Sequence, residues 1–278
     1  MKLATAKWSD TRFYRAAQAV AVAWDIRRGS WWEPEIEVLS YAVHRGETVV
    51  DIGANFGLYT YHLSRAVGRT GRVVAFEPVP STFATLHSVL RLLQIRNAWL
   101  IPKGCGAVPG RVEFKIPLQE SGAPAAGLAF ISERARGATS ERAVSVVCDV
   151  VPADEIVFGL GQLSFIKCDI EGAELFALRG ASRSLEQYRP TLLCEVTPSF
   201  MAGFDLSPRD LTAYLEGMGY SAYAYGRNET PRMRRMDVAS ELPAGNYLFV
   251  HTSRLSRLAD LLSGEAVRAL PRNKRSKR

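Results

Sequence analysis

The chain has 278 residues, 47% of them apolar and 23% charged, which places it among ordinary globular proteins able to bury a core without staples. No run of 18 or more apolar residues occurs, and charge interrupts the N-terminus MKLATAKWSDTRFYR before any apolar stretch of signal length. Neither a membrane span nor a secretory signal is therefore indicated, and the cytoplasm is the expected compartment. The net charge of +7 resides largely in the last seven residues, where Arg272, Lys274, Arg275, Lys277 and Arg278 stand together. Specific nucleic-acid binding is accordingly not expected; the tail reads as a solvated end, with weak contact to an anionic membrane face as the lesser reading.

Residues 1–45 form an expected N-terminal helical cap, rich in Ala, Trp and Arg and broken at Gly29, Ser30 and Pro34. Apolar β-type runs then alternate with helical-period segments. TVVDIG precedes LYTYHLSRAVG, RVVAFEP precedes STFATLHSVLRLLQ, and AWLIPKGCG supplies a third strand. Later, LSFIKCDI precedes GAELFALRGASRSLEQY, and TLLCEV precedes SPRDLTAYLEGMGY. Such alternation predicts a parallel sheet covered by helices on both faces. Between the third and fourth strands, RVEFKIP and AVSVVCDV read as an inserted β-ribbon carrying a mobile Gly/Ala/Ser-rich loop from Ser121 to Ser140. At the end, SAYAYG and NYLFVH have no helical pattern between them and predict a hairpin at the sheet edge. Cys105, Cys148, Cys168 and Cys194 lie in or beside apolar runs without CxxC spacing, so they read as reduced core thiols.

The first strand runs into Asp51-Ile52-Gly53-Ala54-Asn55-Phe56-Gly57. Its glycines stand four apart, which is not the GxGxxG spacing of a dinucleotide site. Gly53 allows a sharp turn off the strand, Gly57 a close approach of the next helix, and the acid suits a ligand that presents a cation. S-adenosylmethionine, with its sulfonium and ammonium, is such a ligand. Glu77 closes the second strand 26 residues after Asp51, the distance that brings a carboxylate beside the glycine turn to accept both hydroxyls of a ribose.

In FIKCDIEGAELFALRGA, alternation along the strand puts Lys167, Asp169 and Glu171 on one face at its C-terminal end, and Gly172 is expected to start the following helix. Capping and dipole complementarity would account for Asp169 and Glu171, but not for a charged Lys167 beside a buried strand. Glu195 ends the next strand and is expected near Asp169. These carboxylates could hold a divalent cation such as Mg²⁺, bind the methionine ammonium, or take a proton from a hydroxyl. Mg²⁺ is the lesser reading, and no metal ligands are assigned. His62, on the first helix after the glycine turn, reads as a packing or surface histidine.

Together VVDIGANFGLYT, VVAFEPVPSTFATL, FIKCDIEGAELFALRGA and RPTLLCEV resemble the FkbM-type S-adenosylmethionine-dependent methyltransferases over roughly residues 46–200. The resemblance implies an α/β, Rossmann-like class I methyltransferase fold with a seven-strand, mostly parallel sheet, a C-terminal antiparallel hairpin and helices on both faces. It implies an O-methyltransferase acting on a hydroxyl of a small molecule or glycan, such as a sugar or polyketide. The corresponding domain would span residues 46–252 with its insert at about 108–150, followed by a C-terminal helix and basic tail over 253–278.

By position the resemblance assigns cofactor binding to Asp51, Gly53, Ala54, Asn55, Phe56, Gly57, Thr60, Glu77, Pro78 and Asp169. Asp169, Lys167, Glu171 and Glu195 are the candidate catalytic residues, Lys167 acting as base only if burial lowers its pKa. The chain departs from the family after the second helix and after the third strand, where it has HSVLRLLQIRNA and KGCGAVPG. The adenine contact is thus left to the region Lys103 to Gly106, and the oligomeric state is left open. Two other readings compete: a cofactor-binding module without turnover, and an NAD-dependent oxidoreductase, which the glycine spacing disfavours.

Overall fold

The computed structural model describes residues 12–117, 130–131, 143–226, 229, 232–237 and 242–263. A long first helix, α1 (Arg12–Arg28), leads through a short 3₁₀ turn, Pro34–Val38, into β1 (Thr48–Ile52). There follow α2 (Leu58–Val67), β2 (Arg72–Phe76), α3 (Pro80–Leu92) and β3 (Ala98–Ile101). A ribbon region comes next, with β4 (Gly104–Cys105), β5 (Gly110–Pro117), β6 (Phe130–Ile131) and β7 (Ala143–Val151). The chain then returns through β8 (Phe165–Cys168), α4 (Glu174–Arg179), α5 (Ser182–Tyr188), β9 (Thr191–Val196) and α6 (Pro208–Gly217). It finishes with β10 (Tyr220–Tyr225), β11 (Met233–Arg235), β12 (Gly245–His251) and a short helix over Ala259–Ser263.

The main sheet runs β11-β10-β12-β9-β8-β1-β2-β3. The five strands from β3 to β9 are parallel because helices cross between them; β12 pairs antiparallel with β9 and β10. β1 and β8 lie side by side, Val49 opposite Phe165, although these partners are 116 positions apart in the chain. After β1 the chain winds outward through β2 and β3, then crosses back to β8, so the C-terminal ends of β1 and β8 flank a topological switch point, where open α/β sheets bind ligands.

Two features depart from the sequence expectation. The sheet has eight strands instead of seven, because the short β11 adds to β10, burying Met233 to 1% exposure. The paired β10 and β12 therefore do not form the edge: β12 is inserted between β9 and β10, and β11 is outermost. The inserted ribbon does form, as β5 and β7 pair antiparallel from Gly110 opposite Val150 to Pro117 opposite Ala143. Most of the Ser121–Ser140 loop, and the basic tail, lie outside the described residues.

Helices on each face complete two cores. On one side Leu58, Leu63, Val67, Leu86, Val89 and Leu90 pack on the sheet, and α1 joins them through Ala19, Ala23 and Ile26. On the other, Leu175, Leu178, Leu185, Leu211 and Leu215 cover Ile52, Ile166, Cys168 and Cys194. The helix after β9 starts on a capping box, with Ser207 and Asp210 bonding reciprocally, and a proline in its first turn. All four cysteines are free and buried. Among the described residues no helix is long and apolar enough to cross a membrane.

Candidate functional site

A cavity of about 220 Å³ opens at the switch point. Of the candidate cofactor-binding residues, Asp51, Gly53, Ala54, Asn55, Glu77, Pro78 and Asp169 line it, as do Lys167, Glu171 and Glu195. Phe56, Gly57 and Thr60 are set back from it, with other tasks. Gly57 has φ +94°, and a Cβ there would lie 2.8 Å from Leu86 Cδ1, so its absence lets α2 settle against α3. Thr60 Oγ1 donates to Asp51 Oδ2 at 2.5 Å, deep in the interior.

The turn after β1 needs Gly53 for two reasons. Its φ is +82°, and an added Cβ would sit 2.0 Å from the carbonyl oxygen of Asp169. The glycine turn and the β8 carboxylate loop are thus packed backbone to backbone. Glu77, 6% exposed, ties the next edge to this turn: Val79 N donates to its Oε1 at 2.9 Å and Asn55 N to its Oε2 at 3.0 Å. Both carboxylate oxygens therefore already accept a backbone bond, so a ribose would use their remaining lone pairs. Burial pushes the Glu77 carboxyl up to about 7 despite those bonds.

Parallel register explains the charged cluster. Lys167 lies opposite Asp51 on β1, and Cys168 opposite Cys194 on β9, so one further step brings Asp169 beside Glu195. Lys167 is 1% exposed and donates to Asp169 Oδ2 at 2.9 Å, while its Nζ stands 4.8 Å from the centre of the Tyr59 ring. Burial alone would lower the lysine pKa, but Asp169, with Asp51 and Glu33 behind it, outweighs burial and holds the ammonium above its usual range. This corrects the expectation that Lys167 could be a neutral base: the same pocket that desolvates it surrounds it with carboxylates.

The two carboxylates diverge. Burial works to raise Asp169, but the Lys167 ammonium and a hydrogen bond from Glu195 keep it below the ordinary range. Glu195 is pushed up to about 8 by burial and by the charge of Asp169, so at neutral pH it holds a proton while Asp169 is ionised. Asp51, fully buried, rises to about 6.

A second correction concerns Gly172, which precedes the helix instead of starting it. Gly172 has φ +100°, and a Cβ there would lie 2.5 Å from the carbonyl carbon of Phe200. The helix begins at Glu174, whose Oε1 accepts from Ile170 N at 2.9 Å and Gly172 N at 3.2 Å. That carboxylate holds the loop, and Asp169 and Glu171 line the cavity. Burial pushes Glu174 up to about 7.

Sequence reasoning missed part of the wall. Trp31, Glu33 and Tyr59 line one end, whereas Gly104, Cys105, Phe114, Ile131 and Val150 line another. Gly104 and Cys105 fall in the Lys103–Gly106 region, and Phe114 and Ile131 are opposite one another in the ribbon. The cavity beside the Lys103–Gly106 region thus has an apolar wall from the insert. The aromatic-acidic run Ser30-Trp31-Trp32-Glu33-Pro34-Glu35 was a visible signal, but it read only as a helix break. His62 packs edge-on against Trp32 and Tyr61, and burial lowers it to about 4, in keeping with a packing role. Among the described residues no group of three or more His, Cys, Asp or Glu side chains is arranged to hold a metal.

Residues 51–222 match the family model of the methyltransferase FkbM domain. The methyltransferase sdnD of Sordaria araneosa is 29% identical over 157 residues, which cover 48% of this chain and 59% of that protein. The chain thus aligns with less than two thirds of this relative's length. Among solved structures, a methyltransferase FkbM from Methylobacillus flagellatus superposes with a TM-score of 0.47 at 22% identity, covering 76% of this chain and 44% of that one. A SAM-dependent methyltransferase from Aquifex aeolicus gives a TM-score of 0.43 at 12% identity, covering 84% of this chain and 98% of its own.

Proposed function

The chain belongs to the FkbM methyltransferase family, and from that premise we propose that it transfers a methyl group from S-adenosylmethionine to a hydroxyl of a small molecule or glycan. The observation that carries this reading is the convergence, in one cavity, of the glycine turn after β1, Glu77 after β2, and the Lys167, Asp169 and Glu195 group after β8 and β9. The residues fit the cofactor. Gly53 and Gly104 let the walls pack closely around the cavity, since a Cβ would lie 2.0 Å from the Asp169 carbonyl oxygen at the first and 2.9 Å from Val150 Cγ1 at the second. Buried Asp51 and Glu77, both with raised pKa, are groups whose ionised forms gain from a cationic ligand.

The cofactor supplies an activated methyl: the acceptor oxygen forms the new C–O bond as the S–CH₃ bond breaks, its electron pair stays on sulfur to leave S-adenosylhomocysteine, and the hydroxyl proton is released. The protein's work is to hold the hydroxyl in line and receive that proton. Asp169 is the group suited to receive it, being ionised at neutral pH and partly open to the cavity, with a side-chain exposure of 38%. An oxygen that has just gained a methyl is strongly acidic, so a carboxylate of low pKa suffices. Lys167 fixes Asp169 from below and remains protonated throughout. Glu195, carrying a proton, steadies Asp169 from the neighbouring strand.

Calorimetric titration with S-adenosylmethionine and S-adenosylhomocysteine tests the cofactor assignment. Transfer of labelled methyl into extracted metabolites and glycans, comparing wild type with Asp169→Asn, tests the reaction. A protein that binds neither compound, or transfers equally well as Asp169→Asn, would refute the corresponding part.

A further inference from the structure

The cavity has a second half that the glycine turn and Glu77 do not reach. Trp31, Glu33 and Tyr59 build its wall, from the link after α1 and the first turn of α2, and it closes on Asp169 and Glu195. Tyr59 is 7% exposed, and its Oη faces the Glu33 carboxylate, the acid placed to accept from it. The two side chains therefore present a hydroxyl and a carboxylate together on the cavity wall, where a ligand's polar atoms can meet both. Among the described residues no cation forms an ion pair with Glu33. Among the described residues Lys167 is the one cation in the lining, and it is buried and already bonded to Asp169.

We propose that this half of the cavity holds the methyl acceptor, and that the acceptor bears a protonated amine beside its hydroxyls, as an amino sugar or amino alcohol does. This rests on the methyltransferase reading and specifies its substrate. The amine is met by Glu33 and by the indole of Trp31, an acid and an aromatic face that both attract a cation. A hydroxyl of the acceptor meets Tyr59 Oη. A phosphorylated or carboxylated acceptor would face Glu33, Asp169 and Glu171, with no cation among the described lining residues available to answer it, and like charge at close range disfavours it. Glucose-like neutral compounds would fill the space without the charge contact.

The test titrates protein saturated with S-adenosylhomocysteine, at fixed ionic strength and pH 7, with glucosamine, glucose and glucose 6-phosphate, following calorimetry and tryptophan fluorescence. Glucosamine is expected to bind about tenfold more tightly than glucose, as one charge-assisted contact allows, and glucose 6-phosphate not measurably. Glu33→Gln should remove most of that preference while leaving S-adenosylhomocysteine affinity within about twofold. Tyr59→Phe, which keeps the ring beside Lys167, should weaken glucosamine and glucose alike. The inference is overturned if glucosamine does not bind, if the neutral or phosphorylated sugar binds as well, or if Glu33→Gln leaves the preference intact. Should the wild type fail to bind S-adenosylhomocysteine, the methyltransferase reading falls and this inference with it, a result visible before any sugar is added.

Discussion

Gly53→Ala probes the contact on which the whole site is built. At φ +82° an alanine is in the left-handed region, which costs an L-residue about 1–2 kcal/mol. Its Cβ would also sit 2.0 Å from the Asp169 carbonyl oxygen and 2.9 Å from Ile170 Cγ2, so backbone must move by more than an ångström. Overpacking of that kind adds roughly 1–3 kcal/mol. The sum, about 2–5 kcal/mol, should lower Tm by on the order of 10 °C in a domain of this size. Because the displaced peptide carries Asp169, S-adenosylhomocysteine affinity and turnover should both fall, each by about tenfold or more. Gly161→Ala is the control: its φ is +80°, but no heavy atom lies within 4 Å of the new Cβ. It should lose only the backbone part of the stability, about 1–2 kcal/mol, and bind normally. Calorimetry and thermal melts on the two variants settle the matter. If Gly53→Ala melts and binds like Gly161→Ala, the backbone contact does not organise the site.

Glu77→Ala should weaken S-adenosylmethionine and S-adenosylhomocysteine alike, because it removes both a ligand contact and the acceptor that holds Asn55 N; equal affinity in titration would exclude the ribose role. Glu174, held up at about 7 against an ordinary value of 4.5, is a carboxyl whose ionisation opposes folding. Its contribution is therefore full at low pH and is lost as pH rises through 7, so the ligand-free protein should melt lower at pH 8.5 than at pH 5.5. Glu174→Gln, which can still accept from Ile170 N, should flatten that slope, and a parallel pH-melting curve would contradict the assignment. Asp169→Asn should cut turnover about 100-fold or more at saturating cofactor, in the range of a general base, while affinity changes little. If affinity falls and turnover survives, Asp169 holds the methionine ammonium instead; activity removed by chelator and restored by Mg²⁺ would mark a metal role.

The parallel core was legible because its strands are buried on both faces and read as unbroken apolar runs, and its helices carry a 3.6-residue period. The edge was not. β11 is three residues long, Met-Arg-Arg, with only Met233 buried, too short to show alternation. The insertion of β12 between β9 and β10 was equally hidden, since local pattern cannot distinguish a hairpin whose last strand turns inward from one whose last strand is outermost. Gly172 misled for a related reason. A glycine before a helical pattern reads as a start, whereas here it passes against the backbone of Phe200, a contact made across 28 residues of sequence.

The site divides along the same line. Residues at strand ends were found because strand register is short-range: once β8 and β9 are parallel neighbours, Asp169 and Glu195 must meet within the strand spacing of about 4.8 Å. Protonation state was not, because it depends on what stands opposite. Lys167 was expected to lose its proton only if buried, and it is buried, yet the register that buries it also sets it opposite Asp51 and beside Asp169. Two carboxylates outweigh the desolvation, so the lysine keeps its charge, Asp169 keeps its own, and the proton moves to Glu195. The proton acceptor proposed above therefore rests on which residues β1 and β9 place on either side of β8. Exchanging the strand-end residues by Glu195→Gln should leave Asp169 ionised and activity largely intact, whereas Lys167→Met should strand two buried carboxylates, raise the pKa of Asp169, and shift the acid limb of the pH–rate profile upward.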